Sequence, residues 1–399
     1  MAPTRRSSTC PKLRVISPDG GARPPAGTRD DRPVVLCVIG ARSHAVRVVP
    51  LIEALERRRV FRPLVVRVGR HDESELLDPV LEDLGLDTRG TFLRTTSGPP
   101  GSRTAAVLAT FEQVVLDHDP ALVVVSGDSD ATLATALAAA KLNVPVVHLE
   151  GGLRSWDWGT PEELNRVVTD RLADTLVTQS ADADDNLIRE GVARDRIVCA
   201  GNTLIDSLRR CEQKVRRRGA WCALGLAAGE YVLVALHRAV NLDDEERLRA
   251  VVGGVLVLSE RVPVVMPLRP RTLARLEASG ELEFLEAAGV VCPGPLGYLD
   301  FVSLEIGAGS IATDNGAVQE EASALGVPCF TLRATTERAV TLTHGTNLLL
   351  GDDPGDLASV EIPAAPPAPC AIPLWDGHAA LRLADALVAN YALLDDTHR

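Results

Sequence analysis

The sequence predicts an α/β protein built from two Rossmann-like, doubly wound domains. Three observations carry that reading. Apolar runs of strand length alternate with amphipathic helical stretches along the chain, the pattern of parallel sheets covered by helices on both faces. The alternation occurs twice, on either side of a polar helical stretch over 206–218 that ends in Arg216-Arg217-Arg218. Polar clusters stand directly after apolar runs, at the carboxyl ends of strands, where ligand sites of such sheets lie.

In the first half, strands are predicted at 34–39, 64–68, 121–125, 144–147, 175–178 and 197–200. Helices are predicted at 45–58, 74–84, 131–140, from Pro161 onward, and at 181–190. The second half repeats the scheme, with strands at 231–236, 262–266, 290–291, 310–313 and 328–332, and helices at 243–258 and up to Leu325. A last helix at 378–394 has Asp376 near its start, where a carboxylate favours the helix dipole. A chain of 399 residues commonly makes two domains. The boundaries read as an N-terminal domain over 33–205, a C-terminal domain over 206–375 and a closing helix over 376–399.

Composition excludes several classes. A formal charge of −12 disfavours a nucleic-acid partner, and aromatics at 3% leave no base-stacking platform. No apolar run approaches the roughly 18 residues that a membrane span needs. The eight cysteines, at 10, 37, 199, 211, 222, 292, 329 and 370, form no Cys-x-x-Cys pair. They read as reduced thiols of a cytoplasmic protein rather than as metal ligands. Residues 1–32, rich in Arg, Pro, Gly and Ser, read as a disordered extension and lack the apolar core of a secretory signal.

The richest cluster is His148-Leu149-Glu150-Gly151-Gly152-Leu153-Arg154-Ser155, followed by Pro161-Glu162-Glu163-Leu164-Asn165-Arg166. Asp128 ends the preceding strand, and sequential strands are usually neighbours. Asp128, Glu150 and Glu162 are therefore expected to converge, and mutual repulsion to raise at least one of their pKa values into the range of acid-base work. Each has a structural alternative: Asp128 as cap of the next helix, Glu162 as an ordinary first-turn acid after proline. His148 reads as a satisfied core histidine. Thr313-Asp314-Asn315-Gly316-Ala317 opens a helix, whose free N–H groups favour an anion. Gly316 would admit a phosphate, and Glu321 one turn on would accept from a ribose diol. His237-Arg238 supplies two potential cations at another strand end, and charge-assisted bonds to phosphate are the strong kind. Arg42 and Arg47 flank the first strand exit and would reach the same anion. Arg333 and Glu337-Arg338 form a further loop cluster, either an ion pair or a ligand contact.

The order and spacing of these motifs resemble the non-hydrolysing UDP-N-acetylglucosamine 2-epimerases across nearly all of 34–394. The resemblance implies two Rossmann-like domains in the arrangement called GT-B, with the last helix crossing back to the first domain. It implies a cytosolic homodimer that inverts C2 of a UDP-linked 2-acetamido sugar without a cofactor or metal, eliminating UDP and re-adding it through a 2-acetamidoglucal. Asp128, Glu150 and Glu162 are then the acid-base set, with His237, Arg42 and Arg47 on the diphosphate and Glu321 on ribose. Arg154, Arg238, Asn315, Gly316, Ala317 and Arg338 complete the expected substrate contacts. Some positions differ from the family. Arg47 replaces a lysine, Val240 a glutamate, and Asn315-Gly316-Ala317 replaces Ser-Gly-Gly. Arg70 and Arg269 stand where bacterial members contact an activating second substrate molecule. The alternatives are a hydrolysing 2-epimerase that releases UDP and N-acetylmannosamine, a glycosyltransferase of the same architecture, and a silent nucleotide-sugar binder. Gly127-Asp128-Ser129 and Glu150-Gly151-Gly152-Leu153-Arg154 favour the epimerase over the glycosyltransferase.

Overall fold

The computed structural model describes residues 30–69, 71–86, 91–95, 98–364 and 371–392. The expected extension therefore lies outside the described residues except for its last three, as do Cys10, Arg70, Cys370 and 393–399. The chain divides into a leading unit, Met1–Asp31, and a body, Arg32–Arg399, which holds both sheets.

The first sheet has seven parallel strands: β1 (Val34–Ile39), β2 (Arg62–Gly69), β3 (Thr91–Arg94), β4 (Leu122–Ser126), β5 (Val146–Leu149), β6 (Thr175–Thr178) and β7 (Ile197–Cys199). Their order is β3-β2-β1-β4-β5-β6-β7, so the winding reverses between β1 and β4. The second sheet has β8 (Val232–Ala235), β9 (Val264–Val265), β10 (Ser310–Thr313), β11 (Cys329–Thr331) and β12 (Asn347–Leu349), in the order β12-β11-β10-β8-β9. Here the reversal falls between β8 and β10. All the pairings are parallel. This is the expected GT-B architecture, two Rossmann-like lobes facing one cleft. Every residue of β1 is buried, because helices cover both faces of a parallel sheet and leave no polar side.

Two crossings join the lobes. Helix Thr203–Arg218 leads out of the first, and helix Ala379–Tyr391 returns to it. The returning helix is anchored by Asp206, whose carboxylate accepts from the N–H groups of Ala379 (3.1 Å) and Ala380 (2.7 Å). Trp375 Nε1 donates to the Gln179 carbonyl at 2.9 Å, and Leu383, Leu387 and Tyr391 join the core of the first sheet. The same core takes in Tyr298, Leu299 and Val302 of the second lobe, so apolar packing runs continuously from one lobe to the other.

Some elements differ from expectation. The edge strands β3 and β12 and the long helix Pro100–His118 were not anticipated. The expected strand at 262–266 shrinks to Val264–Val265, and 290–291 contributes one isolated bridge, Val265 to Val291. Among the described residues no helix is long and apolar enough to cross a membrane.

Candidate active site

Two cavities open between the sheets and meet at Ser43, His237, Asn315 and Ala317. Both lie where the strand order of each sheet reverses, at the exits of β1, β8 and β10, and the polar one reaches the exit of β4 as well. The polar cavity is lined by Arg47, Asp128, Glu150, Glu162, Arg238 and Arg338, among others. Glu150 leaves β5 with φ at 70°, a left-handed conformation that costs a residue with a side chain about 1–2 kcal/mol. Such strain persists only where the surroundings enforce it. Here charge does so. Arg338 Nη2 donates to Glu150 at 2.7 Å, Arg47 Nε stands 3.1 Å away, and Ser126 Oγ donates at 3.3 Å. The same two arginines hold Glu320, at 2.7 Å from Arg47 Nη2 and 3.2 Å from Arg338 Nε. Two carboxylates and two guanidiniums, one of each from either lobe, close a buried ring.

That ring decides the charge of Glu150. Burial pushes its pKa up, but Arg47 and Arg338 outweigh burial and hold the carboxylate below its ordinary range. His44 behaves in the opposite way. Burial drives it down to about 4, with Glu150 and Asp128 opposing, so it is neutral at pH 7. Its Nδ1 accepts from Gly40 N at 3.3 Å. Asp128 receives Arg166 Nη2 at 2.7 Å. Adjacent glutamates of helix Pro161–Leu172 divide the labour: Glu162 lines the cavity, while Glu163 turns away and accepts from Ser155 N (3.0 Å), Ser155 Oγ (2.9 Å) and Trp156 N (2.9 Å).

The second cavity has apolar walls, including Val46, Leu236, Leu268 and Phe301, and polar ends at Arg42, Arg269 and Glu321. Tyr298 donates its hydroxyl to Glu321 at 3.0 Å. At the junction with the polar cavity, buried Asp314 organises the exits of β8 and β10. It accepts from His237 N (3.0 Å), Arg238 N (2.9 Å) and Asn241 Nδ2 (2.8 Å) and faces His237 Nδ1 at 2.9 Å. Burial first and then Arg269 lower the pKa of His237, and burial with Arg42 brings Arg269 down to about 10. Arg42 and Arg269 crowd one another beside a His237 held toward its neutral form, and an anion bound there would relieve the crowding.

The structure corrects several expectations. The carboxylate expected to rise by repulsion, if Glu150, is lowered instead, because the arginine ring separates it from its neighbours. Arg154 was expected on the substrate. Its guanidinium is committed to Asp170 at 2.7 Å and Glu190 at 2.7 Å, and it lines neither cavity. Arg47, expected on the diphosphate, lines the polar cavity and bridges Glu150 and Glu320. The Ala317 N–H was expected to be free. Asn315 Oδ1 caps it at 3.0 Å. Gly316 lines the polar cavity and is also hemmed in by protein: a Cβ there would stand 2.7 Å from Glu337 Oε1 and 2.9 Å from Arg338 Nε. Asp128 is not the cap of helix Asp130–Lys141, a role taken by Ser129. Arg333 pairs with Glu337 at 2.7 Å. His148 is the buried core histidine expected, held by Asp170 (2.6 Å) and the Gly127 carbonyl (2.9 Å). His44, Arg166, Tyr298 and Glu320 are given no role by the sequence, although Arg166 closes the Pro161–Arg166 cluster and His44 lies between Arg42 and Arg47.

Against known proteins, the profile described as UDP-N-acetylglucosamine 2-epimerase matches residues 53–388. The UDP-N-acetylglucosamine 2-epimerase of Methanocaldococcus jannaschii is 37% identical over 324 residues, covering 79% of this chain and 88% of that protein. The UDP-2,3-diacetamido-2,3-dideoxy-D-glucuronate 2-epimerase of Pseudomonas aeruginosa is 36% identical over 324 residues, with the same 79% and 88% coverage. A crystal structure of the M. jannaschii enzyme in complex with UDP-GlcNAc and UDP superposes with a TM-score of 0.80 at 32% identity, covering 89% of this chain and 99% of that one. The Neisseria meningitidis enzyme bound to UDP-GlcNAc also gives 0.80, at 27% identity, covering 90% and 100%. With its cleft, its two switch points and these relatives, the chain belongs to the UDP-N-acetylglucosamine 2-epimerase family.

Proposed function

We propose that this protein inverts C2 of a UDP-linked 2-acetamido sugar, with the uridine in the apolar cavity, the sugar in the polar one and the diphosphate where the two meet. The observation that carries the reading is Glu150, an ionised, strained carboxylate clamped by arginines of both lobes beside a junction rich in cations. Inversion at a carbon that bears an unactivated proton needs a route that breaks the C2–H bond. Loss of the anomeric UDP provides one, giving an unsaturated sugar to which the proton and UDP return. The departing diphosphate gathers negative charge, which His237, Arg238, Arg42 and Arg269 are disposed to meet. The proton needs carboxylates on the sugar, and Asp128, Glu150 and Glu162 all line that cavity. Glu321 and Tyr298 are left to face the ribose. The same reading makes the protein a cytoplasmic homodimer, to be checked by light scattering on the purified protein.

The test is incubation of the purified protein with UDP-N-acetylglucosamine in deuterated water. UDP-N-acetylmannosamine carrying deuterium at C2 is the expected product. Free UDP together with free N-acetylmannosamine would instead mark a hydrolysing enzyme, and UDP binding without any exchange a silent binder. The diacetamido-glucuronate sugar nucleotide belongs in the same assay, since the P. aeruginosa relative is named for it.

A further inference from the structure

Behind Glu321 lies a second glutamate with no counterion. Glu305 sits in the last turn of the apolar helix Tyr298–Gly307 and is fully buried, and neither of its carboxyl oxygens receives a hydrogen bond from a donor. Tyr298, seven residues earlier on the same face of that helix, donates to Glu321, which brings the Glu321 carboxyl, itself 4% exposed, against the face that carries Glu305. Two carboxylates cannot bond to each other unless one of them keeps a proton. A buried acid with no cation beside it keeps that proton readily. We propose that Glu305 is a positioning residue that retains its proton at neutral pH and donates it to Glu321, so that a shared-proton carboxyl pair, Glu321 on the wall of the nucleoside cavity and Glu305 behind it, sets the affinity for nucleotide.

The surroundings agree. From its own helix Tyr298 donates to Glu321, and from helix Gly316–Leu325 Glu320 adds a further negative charge. Tyr231 and Cys329, which face Glu305 from the second sheet, and Cys211 of helix Thr203–Arg218 are themselves raised by burial, so none supplies a charge. Arg47 pairs with Glu150 and Glu320, and Arg42 lines the same cavity as Glu321; both pull against the rise of Glu321 from a distance, and neither acts on Glu305. Burial and then Glu321 push Glu305 well above the ordinary carboxylate range, and burial lifts Glu321 to about 7. The pair titrates as a unit. Loss of its last proton at higher pH removes the donor that orients Glu321 and places a second negative charge beside an anionic ligand.

The inference rests on the reading of this cavity as the nucleoside site, and its test separates the two. Infrared spectroscopy of the intact chain at pH 7 should show the carbonyl stretch of a protonated carboxyl, missing in Glu305→Gln. In calorimetry, UDP affinity of the wild type should weaken as pH rises. Glu305→Gln, whose amide can still donate, should keep the affinity and lose that pH dependence. Glu305→Met, folded by circular dichroism but without a donor, should bind UDP about tenfold more weakly. Absence of the protonated band in the wild type, its persistence in Glu305→Gln, or wild-type UDP binding by Glu305→Met at every pH would overturn the proposal. If UDP fails to bind the wild type while the band is present, the nucleotide assignment falls and the retained proton stands.

Discussion

The two ends of the cleft treat buried carboxylates in opposite ways. At the sugar end, Glu150 and Glu320 share two guanidiniums, and Glu150 stays ionised despite its burial. At the nucleoside end, Glu305 and Glu321 are as deeply buried, neither is in an ion pair among the described residues, and both are raised, although Arg47 and Arg42 act on Glu321 from a distance. Residue type and burial are alike; the counterions differ. Desolvation alone neutralises an acid, and a partner of opposite charge reverses the outcome. One cleft thus holds an ionised carboxylate at one end and, on the proposed reading, a proton-bearing pair at the other, with the adjacent Glu320 and Glu321 of helix Gly316–Leu325 each serving one end.

The largest effect is expected from removing the sugar-end charge. Glu150→Gln keeps the shape and should cut deuterium incorporation at C2 by roughly 10²–10⁴-fold, the usual worth of a general acid or base, with UDP binding unchanged by calorimetry. Wild-type exchange in that variant would break the contrast. Next comes the clamp. Arg338→Ala leaves Glu150 and Glu320 short of a partner and should cost about 3–5 kcal/mol in denaturant unfolding, as broken buried pairs do. A double-mutant cycle with Glu150→Gln should recover part of that loss, and strict additivity would show that the two groups do not depend on each other. At the junction, His237→Ala should weaken UDP by about 1.5–3 kcal/mol, measured by calorimetry.

The smallest effect sharpens the comparison most, because its sign differs at the two ends. Glu150 holds fewer protons folded than unfolded, so its contribution is present at neutral pH and is lost as pH falls through the carboxylate range. Glu305 and Glu321 hold more protons folded than unfolded, so they cost stability as pH rises from the ordinary carboxylate range to their raised values. Glu305→Met should therefore stabilise the fold by about 0.5–2 kcal/mol at pH 7 while weakening UDP. Thermal unfolding that is unchanged or lowered at pH 7 would argue against a proton-holding pair.

Buried parallel strands were the most legible part of the sequence. β1, β6 and β10 match the predicted bounds; β1 is an uninterrupted apolar run, and in β6 and β10 the only polar residues are small hydroxyls, because both faces are covered. β3 and β12 are edge strands of four and three residues, too short to carry a period. At the site, the rule that polar groups gather at strand exits found Asp128, Glu150, His237 and Asn315. It failed to separate Arg154 from Arg47. Both are arginines near glycines, and what distinguishes them is the acid each meets: Asp170 and Glu190 for one, Glu150 and Glu320 for the other. Such partners lie up to 273 positions away and belong to the fold, not to any local pattern. Glu305 left a single trace, one acid inside Val302-Ser303-Leu304-Glu305-Ile306, and its meaning depends on a helix encountered later in the chain.

The return of the last helix makes the second lobe, in topological terms, a cassette inserted into the first. Its entrance and exit run side by side: Asp206 grips Ala379 and Ala380, and at Gly201, where φ is 89°, a methyl group would sit 2.2 Å from the Leu374 carbonyl oxygen. Chimeras that trade nucleotide preference between relatives therefore need two matched junctions, one on each strand of this seam. A single splice would leave the closing helix facing a surface it was not shaped for.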